Sequence, residues 1–134
     1  MNNYTNILRQ HNLKATPQRL AIADVLYKHG HISLEGLYEV MVKKFNSISL
    51  ATIYKNINLM LENSFIQEVK IPHAKSVYEL VKEDHSHVVC SKCNDIMDID
   101  LDTSKILNEA ASLSHYNLIE SAIIFNGVCP KCKA

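Results

Sequence analysis

The chain has 134 residues, 47% of them hydrophobic, with 14 basic and 14 acidic side chains in balance. That composition excludes disordered and collagen-like chains and allows one ordinary hydrophobic core or two small ones. The first residues, Met1 to Thr5, lack the basic stretch and apolar run of a secretory signal, and the most apolar windows, such as 121–128, are too short to span a bilayer, so a cytoplasmic protein with no membrane partner is predicted.

Helix signals fill the first half of the chain. Tyr4–Gln10 reads as a leading helix. Thr16 can cap a second, with Pro17 at its first position and Leu20, Ile22, Val25 and Leu26 at compatible spacing. Ser33 can cap a third over 34–45. Ser49 can cap a fourth, on which Leu50, Ile53, Ile57, Met60 and Leu61 share one face. After Asn63-Ser64 the period shortens towards two, which predicts strands over 66–71 and 77–81 with a turn at 72–75. Helices followed by a hairpin outline a winged helix. Lys82-Glu83-Asp84 is polar and makes a hinge, so that 1–81 and 85–134 form separate domains. In the second, strands are predicted over 87–90, 96–101 and around 118–125, the last ending at Gly127, with a helix over 103–113.

The neutral total conceals an asymmetry. Residues 1–70 carry eight Lys and Arg against five acids, a balance of +3, and residues 71–134 carry six against nine, a balance of −3. A basic half attracts phosphate, and an acidic half rich in His and Cys suits cations. On the fourth helix Thr52 and Lys55 point away from the apolar face, with Tyr54 at its margin, near the N-terminal end where a helix-turn-helix protein meets base edges. An ordinary amphipathic helix with a wet face has the same pattern.

Cys90-Ser91-Lys92-Cys93 and Cys129-Pro130-Lys131-Cys132 are two CxxC turns, each able to aim two thiolates at one ion, and together they complete a tetrahedral zinc site. Redox-active pairs and disulfides are the competing uses. Two matching motifs in a reducing compartment favour zinc, and four thiolates leave no open position for catalysis. Just upstream, strand alternation puts His85 and His87 of Asp84-His85-Ser86-His87 on one side. Glu79, Asp98 and His31 are further donors. Imidazole with carboxylate suits Fe(II), Mn(II) or Zn(II). Taken singly, His31 or Asp98 is a residue type usually solvated at a surface, and the His-x-His beside a CxxC is the stronger signal.

Four stretches taken in order, Leu13-Lys14-Ala15-Thr16-Pro17-Gln18-Arg19, Ser49-Leu50-Ala51-Thr52-Ile53-Tyr54-Lys55-Asn56, His85 to Cys93, and Cys129 to Cys132, resemble the ferric uptake regulator family of bacterial metalloregulators. The resemblance covers nearly the whole chain. It implies an α+β protein with an N-terminal winged-helix DNA-binding domain and a small C-terminal α/β dimerisation domain. It also implies structural Zn(II) on Cys90, Cys93, Cys129 and Cys132, and regulatory Fe(II) or Mn(II) on His31, Glu79, His85, His87 and Asp98. The implied protein is a homodimeric repressor, not an enzyme, that binds a double-stranded DNA operator through Lys14, Arg19, Thr52, Tyr54 and Lys55.

Asp98 is similar to the peroxide-sensing members, whereas Glu79 is similar to the iron-uptake side. The stretches 15–19 and 49–56 lean towards peroxide sensing, with His31 and His85 as the ligands that metal-catalysed oxidation would attack and peroxide as the only small-molecule signal. An iron-status repressor is the alternative. Zinc-uptake regulators commonly sense through a cysteine, and all four here have a place already. A further metal site found in some members corresponds here to Asp84, Ser86, Lys105 and Ser121, where its two acids and late histidine are replaced, so that site is not expected. The usual glycine after the second cysteine is Asn94, which also tolerates a left-handed backbone. Two other classes of protein share parts of the pattern. A metalloenzyme would use the His and carboxylate cluster, yet no nucleophile elbow, phosphate loop or zinc-hydrolase helix motif is present. A zinc-ribbon interaction module without DNA binding is compatible with the neutral total charge.

Overall fold

The structure is a computed structural model that describes residues 3–82 and 85–133. The chain separates into two compact units, Met1–Lys82 and Glu83–Ala134. Of the hinge stretch 82–84, Glu83 and Asp84 lie outside the described residues.

The first unit holds α1 (Tyr4–Gln10), α2 (Pro17–His29), β1 (Ile32–Ser33), α3 (Leu34–Lys44), α4 (Leu50–Glu62), β2 (Ile66–Val69) and β3 (Val77–Leu80). Its helices begin where polar side chains replace the missing intrahelical acceptors. Thr16 accepts from the Arg19 N–H, Ser33 from that of Gly36 and Ser49 from that of Thr52. α2 ends at Gly30, whose φ of 76° is a left-handed geometry that strains any residue with a Cβ. The sheet is antiparallel in the order β1-β3-β2. Leu8, Ile22, Leu26, Leu37, Met41, Ile53, Ile57, Met60 and Ile66 pack into one core. This is a winged helix.

Two details of α4 differ from the helical-wheel expectation. Leu50 is 47% exposed, and Asn56 is buried between Ile53 and Ile57. Leu50 occupies the first turn, beyond the edge of the core, whereas Asn56 turns inward because its side chain finds partners there. The expected strand 66–71 stops at Val69, and β1 has no counterpart among the expected strands.

The second unit holds β4 (Ser86–Cys90), β5 (Ile96–Ile99), α5 (Ser104–Ser114) and β6 (Ile124–Gly127), with strand order β5-β4-β6. β5 is antiparallel to β4 and β6 is parallel to it. The expected last strand ends at Gly127 as predicted, but it begins only at Ile124. Its pairing begins at His87 opposite Ile124, with the His87 N–H donating to the Ile123 carbonyl, so residues 115–122 stay outside the ladder and Ile119 is 95% exposed. Asn94 has φ 65°, the left-handed geometry its side chain tolerates, and closes the turn from β4 to β5. α5 buries none of its residues, and Ile106, Leu113, Tyr116 and Phe125 leave this unit with exposed apolar surface.

Candidate metal centres and nucleic-acid interface

The two CxxC turns sit at one end of the second sheet. Cys90 ends β4, the Asn94 N–H donates to the Cys90 carbonyl, and this tight turn brings Cys93 back beside Cys90. Gly127 of β6 lies opposite Cys90, so the second turn, Cys129 to Cys132, follows at the same sheet end. All four sulfurs lie within 4.8 Å of one another, and those of Cys93 and Cys129 are 3.8 Å apart. Zinc–sulfur bonds of about 2.3 Å place the corners of a tetrahedron about 3.8 Å apart, so the donor set fits the ion by chemistry and by spacing.

None of the four cysteines is disulfide-bonded. Backbone N–H groups of Cys129 and Cys93 donate to the Cys90 sulfur at 3.4 and 3.5 Å and bring its thiol down to about 6. Hydrogen bonding to the sulfurs of Cys129 and Cys93 pushes Cys132 up to about 12. Sulfurs this close cannot all be anions without a cation, and a divalent ion replaces the protons they otherwise share.

The histidine and carboxylate donors form one cluster in each unit. In the first, the Gly30 turn carries the chain straight from α2 through His31 into β1, and β1 pairs with β3 at Ile32 opposite Tyr78. His31 therefore lies beside Glu79, with its Nε2 2.8 Å from Oε2. Glu79 is 1% exposed, and a buried carboxylate is tolerable only when its oxygens are engaged. Its Oε1 accepts from Gln67 Nε2 at 2.6 Å, a cross-strand bond between directly opposed residues of β2 and β3. Gln67 is not among the donors and partners that the sequence points to. The register of the hairpin closed at 72–75 is the signal that reveals it.

In the second unit, β4–β5 pairing sets His87 opposite Asp98. The two Nε2 atoms of His87 and His85 are 3.4 and 3.7 Å from Asp98 Oδ1. The rings of His85 and His87 are 4.5 Å apart between centroids, on the same side as alternation requires. This set is all nitrogen and oxygen, a donor chemistry suited to Fe(II) or Mn(II). Of the residues aligned with a further metal site, Ser86 is buried, Lys105 and Ser121 are exposed, and Asp84 lies outside the described residues.

On α4, Tyr54 is 52% exposed and Lys55 is exposed beside it, while Thr52 shares the N-cap with Ser49 through a 3.0 Å contact of their hydroxyls. Lys14 is exposed and lines, with Arg9 and Thr16, an open cleft of about 630 Å³. Arg19 donates through Nε to Asn56 Oδ1 at 3.0 Å and through Nη1 to the Lys14 carbonyl at 3.1 Å.

Comparison with known proteins agrees with this architecture. The model of the ferric uptake regulator family matches residues 10–126. The ferric uptake regulation protein of Neisseria gonorrhoeae is 31% identical over the whole chain and 97% of its own length. The peroxide-responsive repressor PerR of Staphylococcus epidermidis is 28% identical over 94% of this chain and 85% of its own. The crystal structure of the Campylobacter jejuni peroxide stress regulator superposes with a TM-score of 0.73 at 32% identity, covering 98% of this chain and all of that one. The chain belongs to the ferric uptake regulator family, whose members are metal-dependent, dimeric, DNA-binding transcriptional regulators.

Proposed function

We propose that this chain is a repressor whose DNA binding depends on one regulatory Fe(II) or Mn(II) ion and which senses peroxide through oxidation of a ligand to that ion. The observation that carries the proposal is the sulfur-free donor chemistry: His31 with Glu79 in the first unit, and His85 with His87 and Asp98 in the second. Under this reading the five residues would hold the ion together. The four cysteines take a structural zinc and have no further valence for sensing. Support for separate sites comes from the Helicobacter pylori ferric uptake regulator, 25% identical, whose structure has three functional metal-binding sites.

Bound Fe(II) would supply the redox chemistry that peroxide needs, and Mn(II) would support repression without it. The net change in the protein is one oxygen atom added to the imidazole of His31 or His85, with the O–O bond of hydrogen peroxide broken and water released. An oxidised imidazole is a poor donor, so the ion and the DNA are released. Moving the dimer from 1:99 to 99:1 in favour of its DNA-binding form requires about 5.5 kcal/mol of differential metal affinity. Asp98 and the peroxide-responsive relatives favour this reading, whereas Glu79 and the neisserial relatives favour an iron-status repressor.

The discriminating experiment exposes anaerobic Fe(II)-loaded protein to dilute peroxide and follows peptides containing His31 or His85 by mass spectrometry. The expected result is one added oxygen atom together with loss of DNA binding, and neither change with Mn(II). Unmodified peptides with DNA binding intact would assign the chain to iron sensing.

A further inference from the structure

Asn56 is a polar residue where the helical pattern calls for an apolar one. It is 9% exposed and flanked along α4 by Ile53, Ile57 and Met60. Asparagine inside a helix is less favourable than alanine or leucine, so local stability does not account for it. Its side chain joins two elements. The amide N–H donates to the Thr52 carbonyl one turn back at 3.1 Å, and Oδ1 accepts from Arg19 Nε in the first turn of α2. Arg19 is held on its other side by the Lys14 carbonyl. A guanidinium has five N–H groups in one plane. Two are used here, and the other three have no acceptor among the described residues. A half-exposed guanidinium pinned at two points, with its remaining donors in a fixed fork beside Lys14, matches a phosphate oxygen pair.

We propose that Asn56 is a positioning residue for DNA binding, locking Arg19 to α4 so that phosphate anchoring by Arg19 and base contact by Tyr54 and Lys55 share one rigid register. The proposal rests on α4 and Arg19 facing DNA. Phosphate contacts fix orientation and base contacts fix sequence, so a direct bond between the two sets removes the freedom of one to slip relative to the other. Asn56 acts through Arg19 and does not itself touch DNA.

The test uses full-length, zinc-replete, Mn(II)-loaded protein and a duplex of about one to two helical turns per half-site, enriched from a random pool by the wild-type protein, since dimers engage half-sites about one turn apart. Affinity is read by fluorescence anisotropy across a salt series. Arg19→Gln is expected to weaken binding about ten-fold and to reduce the slope of log K against log salt by about 0.9 for each phosphate no longer neutralised. Asn56→Ala is expected to produce most of the same weakening, including the change in slope. Arg19→Gln combined with Asn56→Ala is expected to be no weaker than Arg19→Gln alone.

If Asn56→Ala carries its full penalty in the Arg19→Gln background, or leaves the salt slope unchanged, it merely supports the helix and the proposal is overturned. Wild-type binding by Arg19→Gln would remove Arg19 from the DNA contacts and overturn the proposal at its premise, a distinguishable failure. Should Asn56→Ala not fold, Arg19→Lys decides. It keeps the charge and loses the fork, so affinity near that of Arg19→Gln supports the pinned geometry and affinity near wild type refutes it.

Discussion

Replacing Cys93 by serine removes one of the four sulfurs and, with it, the closed tetrahedron. Val89 and Cys90 are the only buried apolar side chains of the second unit among the described residues. A fully buried valine contributes about 1.5–3 kcal/mol. A structural zinc in a small domain contributes roughly 10–16 kcal/mol at neutral pH. The ion therefore outweighs the unit's own core several-fold, and Cys93→Ser is expected to unfold the second unit while the first, with its separate core, stays folded. Hydrogen exchange read by mass spectrometry resolves the two. Amides of β4, β5 and β6 should exchange freely, those of α2 and α4 should keep their protection, and the dimer should dissociate in sedimentation. If metal analysis shows zinc absent and β4 amides remain protected, the assignment of stability to the ion is wrong.

Gln67→Leu removes the donor that holds Glu79 Oε1 and is expected to weaken Mn(II) binding about 10–100-fold, as loss of a group orienting a ligand does, with zinc content unchanged by metal analysis. Asp102→Ala tests an electrostatic cap. The Ser104 hydroxyl and backbone N–H donate to the Asp102 carboxylate and hold its pKa below the ordinary 3.8. A depressed carboxyl stabilises the fold when ionised, so Asp102→Ala should lower the melting temperature at neutral pH. The difference from wild type should disappear as pH falls through the folded-state value, below the usual carboxylate range.

What could be read from the sequence divides along a physical line. The caps at Thr16, Ser33 and Ser49, the left-handed Asn94 and the paired cysteines are local signals, each carried by a few adjacent residues. The misses are all long-range. β1 has two residues and exists only because β3 accepts it. The last strand begins later than its apolar run 118–125 suggests, because that run does not show where parallel pairing with β4 starts. Gln67 gains its role from hairpin register, and Asn56 from an arginine 37 residues away. A helical wheel also cannot tell which edge of an apolar face a neighbouring helix covers, so Leu50 and Asn56 exchange places between core and surface. Of the metal donors, the sequence supplies the residues and their chemistry. Their pairings, His31 with Glu79 and His87 with Asp98, come from the folded strands.

The parallel pairing of β4 with β6 also has a kinetic side. The two strands meet only after β5 and α5 have been passed, and non-local pairing of this kind is slow because the intervening chain must close before any contact rewards it. The Cys90 to Cys93 turn is short enough to form early and to hold an ion by two thiolates. Once it does, the search of β6 for its register reduces to the arrival of Cys129 and Cys132 at a fixed point, and zinc supply then governs how fast the second unit is made as well as how long it lasts.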